Sequence, residues 1–239
     1  MADTSPMPPP ASWQALIRRL QADAVPVGRL WPPVVRLGLW LVLVAAVGGS
    51  LGLSGLRPDL AKQLRDPAFL LDIVLLALAG VAAALLALRD AVPGREASRC
   101  AALAPLGLAL AAAGLWGRLP LQGEVTVRHF VAMGLPCAAR TFVLAALPWC
   151  TLLIAVRRGA PLDPANAGVL IGGAALVMAS LLMRLACPLD ERLHLLVWHG
   201  LPVVGGTLLS AGAGLAWLHH WRGDSQVSVA ARGEWPADS

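Results

Sequence analysis

Two cysteines carry the most chemistry in this 239-residue chain. Cys137 falls in LPCAARTF and Cys187 in ACPLDERLH, each where an apolar run meets a polar connection. Thiols at one depth of a membrane protein can oxidise to a disulfide or hold a soft metal ion. The spacing leaves both open, along with two unrelated structural thiols. His129, His194 and His199 lie close enough in sequence to assist. The pattern matches no recognised metal motif, so the metal, if any, is unknown. Cys100 sits at the end of an apolar run. Cys150 sits in the middle of another, where a thiol packs as a small apolar group.

A second group is ionisable. Asp72, Arg140, Arg184 and His199 lie near the ends of apolar runs. Charges in such places are costly, so they pair, reach for lipid headgroups, or mark a function. The topology derived below puts all four at the outer rim, where Asp72 has cations at its own depth. No acidic residue or histidine lies near the middle of any run. A proton or ion relay needs such groups, so a coupled transporter is disfavoured. No nucleophile elbow, phosphate loop, HExxH or CxxC is present, and neither an enzyme nor a cofactor is expected.

The elements that must position these residues are six apolar stretches, at 34–53, 69–88, 101–117, 138–156, 164–186 and 195–218. About 20 helical residues span a hydrocarbon core of about 30 Å. The expected fold is all-α: a polytopic membrane protein, a bundle of six transmembrane helices with short loops. Composition agrees. Mean hydropathy is +0.69. Hydrophobic residues make up 57% and charged residues 14%, against about 25% charged in a soluble domain. The net charge of +5 comes from Arg residues dispersed over loop ends, which argues against nucleic acid and for lipid contact. With the N-terminus inside, Lys and Arg divide eleven inside against eight outside, and Arg157-Arg158 is the strongest inner marker. Both termini are then cytoplasmic. The chain divides into a cytoplasmic segment at 1–33, a membrane domain at 34–218 and a cytoplasmic tail at 219–239.

Small residues at helical spacing (Gly48 and Gly52; Gly168 and Gly172; Gly206, Ser210 and Gly214) suit close helix packing in lipid. Pro105 and Pro148 lie inside spans and are expected to kink them. Ahead of the first span, residues 12–24 place Trp13, Leu16, Ile17, Leu20 and Ala24 on one helical face, with Ser12 as N-cap. That helix either lies on the inner leaflet or docks a soluble partner.

The tract LIRRLQADAVPVGRLWPPVVRLGLWLV (16–42) resembles the segment leading into the membrane in NrsF-type membrane anti-sigma factors. LPCAARTFVLAALPW, RRGAPLDPANAG and ACPLDERLHLLVWHGLP resemble the later helices and loops of that family. The resemblance runs from about residue 16 to 217. It implies an inner-membrane regulator of transcription in a stress response. Such a regulator holds an extracytoplasmic-function sigma factor at the membrane, without touching nucleic acid itself. The family's paired outer cysteines map to Cys137 and Cys187, implying a thiol-linked release signal, oxidative or heavy-metal. Trp13, Leu16, Ile17 and Leu20 are the expected partner-binding residues. Ala24 stands where the family has Leu, and Cys100 and Cys150 are additional thiols. The competing readings are a small transporter or channel subunit and a membrane thiol oxidoreductase. Stimulus, sigma partner and oligomeric state are open.

Overall fold

The computed structural model describes residues 11–22, 30–92, 94, 99–121, 123 and 126–218, and these contain helices and no strand. Two compact units divide the chain, Met1–Leu30 and Trp31–Ser239.

The first unit contains α1 (Ala11–Ala22). Its apolar face is uncovered: Trp13, Leu16, Ile17 and Leu20 are 61%, 51%, 43% and 64% exposed. Ser12 lies inside the helix rather than ahead of it. Ala24 falls outside the described residues.

The second unit contains α2 (Pro33–Ser54), α3 (Leu60–Gln63), α4 (Pro67–Asp90), α5 (Arg99–Trp116), α6 (Val127–Arg157), α7 (Pro164–Ala186), α8 (Arg192–His194), a π-helical segment (Leu195–Gly200) and α9 (Leu201–Trp217). Among the described residues, five stretches are long and apolar enough to cross a membrane: Pro33–Gly52, Pro67–Asp90, Val127–Arg157, Pro164–Ala186 and Arg192–Trp217. Six were expected, and five meet the length and apolarity of a span among the described residues. The third expected span is helical as α5 (Arg99–Trp116), a shorter helix than these five. It ends where the chain turns through Gly117 and Arg118, whose N–H groups donate to Ala113 and Leu115.

The other boundary changes bear on the site. α6 has 31 residues and begins well before the expected 138. Cys137, expected at a loop end, therefore lies within a helix. Thr126 caps α6 by accepting from the His129 N–H at 3.3 Å. Pro136 and Pro148 both sit inside it. The last stretch, expected as one helix, changes pitch at Leu195–Gly200. A proline ring clashes with the carbonyl four residues back, here that of Trp198, and Pro202 sits just past this wider turn. The Leu201 N–H reaches back five residues to the Leu196 carbonyl, as a π turn requires.

α7 is the central helix and is buried along nearly its whole length, with α9, α4 and α6 packed on it. Glycines set the closest approach. A methyl group at Gly168 would overlap the Ser210 carbonyl, and one at Gly214 would overlap the Pro164 carbonyl. Gly48 packs on Leu182, whereas Gly52 has open space around it. α2 is the most peripheral long helix, and polar bonds tie it down. The Arg36 guanidinium donates to the carbonyls of Leu88 at 2.8 Å and Ala155 at 3.0 Å. A cation on the last turns of α4 and α6 complements both helix dipoles. Trp40 Nε1 donates to the Pro148 carbonyl at 2.9 Å. At its other end α2 stops at Gly55, where φ is 109°, a conformation that favours glycine.

Candidate functional site

Cys137 projects from α6 one residue after Pro136, and its carbonyl accepts from Thr141 Oγ1 at 2.9 Å. Cys187 follows the last residue of α7, its N–H bonded to the Met183 carbonyl at 2.7 Å. The two sulfurs face each other at 3.7 Å. That is a non-bonded contact, longer than the ~2.05 Å of a disulfide, and both thiols are free. Cys187 is buried, and its sulfur lies 3.5 Å from His194 Nε2.

The π segment completes the cluster. Residues five apart stack in a π turn, whereas an α-helix would swing His199 away from His194. The two imidazoles come within 5.5 Å, centroid to centroid. One ligand atom each from Cys137, Cys187, His194 and His199 lies within 4.8 Å of every other. Nδ1 of His194 and both ring nitrogens of His199 are buried without a hydrogen-bond partner. A buried polar atom left in that state costs about 1–3 kcal/mol. Trp198, beside His199, seats its indole directly over Gly134 of α6, where a side chain would overlap it.

Two of the separations match a metal ion, and the set as a whole, within 4.8 Å, would draw in slightly around one. A tetrahedral site with metal–sulfur bonds of about 2.3 Å and metal–nitrogen bonds of about 2.05 Å puts sulfurs ~3.8 Å apart and sulfur and nitrogen ~3.6 Å apart. The observed separations are 3.7 Å and 3.5 Å. Two thiols and two imidazoles form a soft set suited to zinc, cadmium or cuprous ions. The hydrogen bond from Cys137, with another from His194, outweighs burial and holds the Cys187 thiol below its ordinary range.

Beside this cluster lies a buried ion-pair network. Asp72 accepts from Arg184 Nε at 2.8 Å and from Trp116 Nε1 at 2.9 Å. Arg184 also donates to Asp190 at 2.6 Å. Arg57, in the α2–α3 connection, donates to Asp190 and, at 2.7 Å and 2.9 Å, to Asp59. Both guanidiniums lie over the Phe69 ring, at 5.5 Å for Arg57 and 5.1 Å for Arg184. Burial works against the charge on Arg57, but the hydrogen bonds it donates to Asp59 and Asp190 raise its pKa and keep it cationic. Burial likewise opposes ionisation of Asp190, and its bonds to Arg57 and Arg184 override that and hold its pKa below the usual carboxylate value. Removing one member of such a buried pair costs about 3–5 kcal/mol, because the other charge is left uncompensated.

The four residues expected together at the rim are thus divided. Asp72 and Arg184 pair directly. His199 belongs with the thiols instead, re-phased by the π segment. Arg140 is exposed on α6 and makes no ion pair among the described residues. His129 is exposed in the first turn of α6, away from the cluster. Cys150 is exposed on α6, and the Cys100 side chain lies outside those described. Sequence reasoning missed Arg57, Asp59, Asp190, Trp116 and Phe69. The available signal was LDERLH, which sets Asp190 three residues past the second thiol.

The family described as negative regulator of sigma F, NrsF, matches residues 20–221. The anti-sigma-F factor NrsF of Caulobacter vibrioides (strain NA1000 / CB15N) is 30% identical over 192 residues, covering 76% of this chain and 88% of that protein. No solved structure matches the chain. These are regulators, not catalysts. The matched region starts inside α1, runs through all five long helices and takes in all four thiol and imidazole residues: the chain belongs to the NrsF family of negative regulators of sigma F.

Proposed function

We propose that this protein is an anti-sigma factor of the bacterial inner membrane. It holds an extracytoplasmic-function sigma factor away from RNA polymerase, and releases it when Cys137, Cys187, His194 and His199 capture a thiophilic metal ion. Family membership supports the anti-sigma role. The observation that carries the trigger is the agreement of the 3.7 Å and 3.5 Å separations with a tetrahedral ion. Three buried imidazole nitrogens without partners point the same way.

The arrangement in the membrane follows the domain division at 1–33, 34–218 and 219–239, with both tails cytoplasmic. Five long helices alone would place the tails on opposite sides. α5 supports a sixth crossing. Its last residue, Trp116, bonds Asp72 near the start of α4, so α5 runs back along α4. At 18 residues, α5 is about 27 Å long, a mismatch that bilayer thinning absorbs. Alkaline phosphatase, active only after export, is expected to be inactive when fused after Asp163 and after Ser239. Strong activity at both sites would reverse the orientation and put the thiols on the reducing side.

The function is tested by co-purification. The detergent-solubilised protein is expected to retain its sigma factor, and cadmium or cuprous ion to release it within one binding equivalent. If no sigma factor is retained, the sequestration reading fails. Release by an oxidant alone would replace metal capture with disulfide formation as the trigger.

A further inference from the structure

Two of the four cluster residues, Cys187 and His194, sit at the ends of one short connection, and Asp190 lies between them. Left to itself, such a connection would present its two donors in many arrangements. Here it is pinned. The Asp190 carboxylate takes Arg57 from the α2–α3 connection and Arg184 from α7. Gln63 Nε2 adds a bond at 3.2 Å to the same carboxylate. The Arg57 N–H donates to the Leu185 carbonyl at 3.1 Å, two residues before Cys187. Further along, the Arg192 side chain and N–H both bond the turn after α5, at Leu119 and Pro120 and at 3.1 Å each. Arg57 and Arg184 are themselves buried and already paired, so they form a fixed wall and not a flexible surface contact.

We infer that Asp190 is a positioning residue for the thiol–imidazole site. Gripped by Arg57 and Arg184, it holds Cys187 and His194 in the arrangement that faces Cys137 and His199. It acts through these donors and is not itself one of the cluster. The inference rests on the metal-capture reading for its first readout but not for its second. Groups that orient metal ligands from behind typically account for 10–100-fold in affinity. Asp59 supplies the internal comparison. It also pairs with Arg57, sharing Nη2 with Asp190, but it lies outside the Cys187–His194 connection and does not touch Arg184 among the bonds described.

The test uses the full chain in detergent micelles. Cadmium affinity is measured by competition with a chromophoric chelator. The rate of Cys137–Cys187 disulfide formation under diamide is read by loss of maleimide labelling. Asp190→Asn is expected to lower cadmium affinity by about tenfold or more and to slow disulfide formation. Asp59→Asn loosens Arg57 but leaves Asp190 gripped by Arg184, and is expected to lose clearly less than Asp190→Asn in both readouts. Arg57→Lys keeps the charge but loses the two-pronged grip and is expected to fall between, which serves if Asp190→Asn does not fold. Unchanged affinity and rate in Asp190→Asn would overturn the inference. So would equal losses in Asp190→Asn and Asp59→Asn, the sign of general loosening. If the parent takes up no cadmium while Asp190→Asn still slows the disulfide, the metal reading fails and the positioning role stands.

Discussion

A serine at Cys137 or at Cys187 is expected to abolish the response to thiophilic metals, and the double variant to be no worse than either single one. A site of four donors loses more than about 100-fold in affinity when one thiolate goes, since even a supporting residue outside the ligand set accounts for 10–100-fold. The remaining sulfur then has no partner at 3.7 Å to share an ion with. The same comparison separates metal capture from disulfide formation. His199→Ala removes a candidate ligand but no thiol, so it should abolish a metal response and leave an oxidant response in place. The measurement is expression of the sigma factor's target genes in cells given cadmium or diamide, with the protein level in membranes checked alongside. Parent-like responses to both stimuli in both single serine variants would exclude the pair as the sensor.

The geometry also suggests how such an event reaches the opposite end of the bundle. Cys137 and Cys187 belong to α6 and the end of α7, two packed helices. An ion between them alters how those helices meet at one end. Pro136 and Pro148 interrupt the backbone bonding of α6. Past Pro148, α6 is bonded to α2 twice, by Trp40 at the Pro148 carbonyl and by Arg36 at the Ala155 carbonyl. A local change at the thiols thus has a bonded route to the first turns of α2, of the kind a two-state bundle can use.

Much of this was legible in the sequence, and the exceptions have physical causes. Apolar runs of about 20 residues announce membrane helices because lipid offers the backbone no other partner. The third run ends within a residue of Trp116, as expected, but run length alone cannot show that the fourth extends back to Val127 through polar residues and Pro136. The cysteines stood out by residue type and placement, but their separation is a tertiary fact. His199 stands in two groups in the sequence, by depth with Asp72 and Arg184 and by proximity with the thiols. The π segment, which no periodicity announces, turns it to the thiols instead. Arg57 escapes a reading of the sequence because its burial is tertiary: Asp59 lies two residues on, but Asp190 folds over it from far along the chain.

Replacing Leu16 and Leu20 together with Glu is expected to free the sigma factor and raise expression of its targets to the level of a strain lacking this protein. On α1, Trp13, Leu16, Ile17 and Leu20 form one apolar stripe, and each is well exposed. An amphipathic helix in that state fits a hydrophobic groove on a partner, with an aromatic and neighbouring aliphatics as the energetic centre. Burying a leucine contributes about 1.5–3 kcal/mol. Losing two, with charges set in their place, weakens binding by roughly 100-fold or more at 1.4 kcal/mol per decade. The family match begins at residue 20, so for Trp13, Leu16 and Ile17 the support is the stripe itself and not the kinship. The rival is a helix that lies on the lipid surface, for which the same stripe is equally suited. The two part on one comparison. Leu16→Glu with Leu20→Glu should raise target-gene expression while the amount of membrane protein stays normal. Trp13→Ala alone should raise it part of the way. Basal expression equal to the parent's at normal protein levels would assign α1 to the membrane surface and move the sigma-binding site elsewhere on the cytoplasmic face.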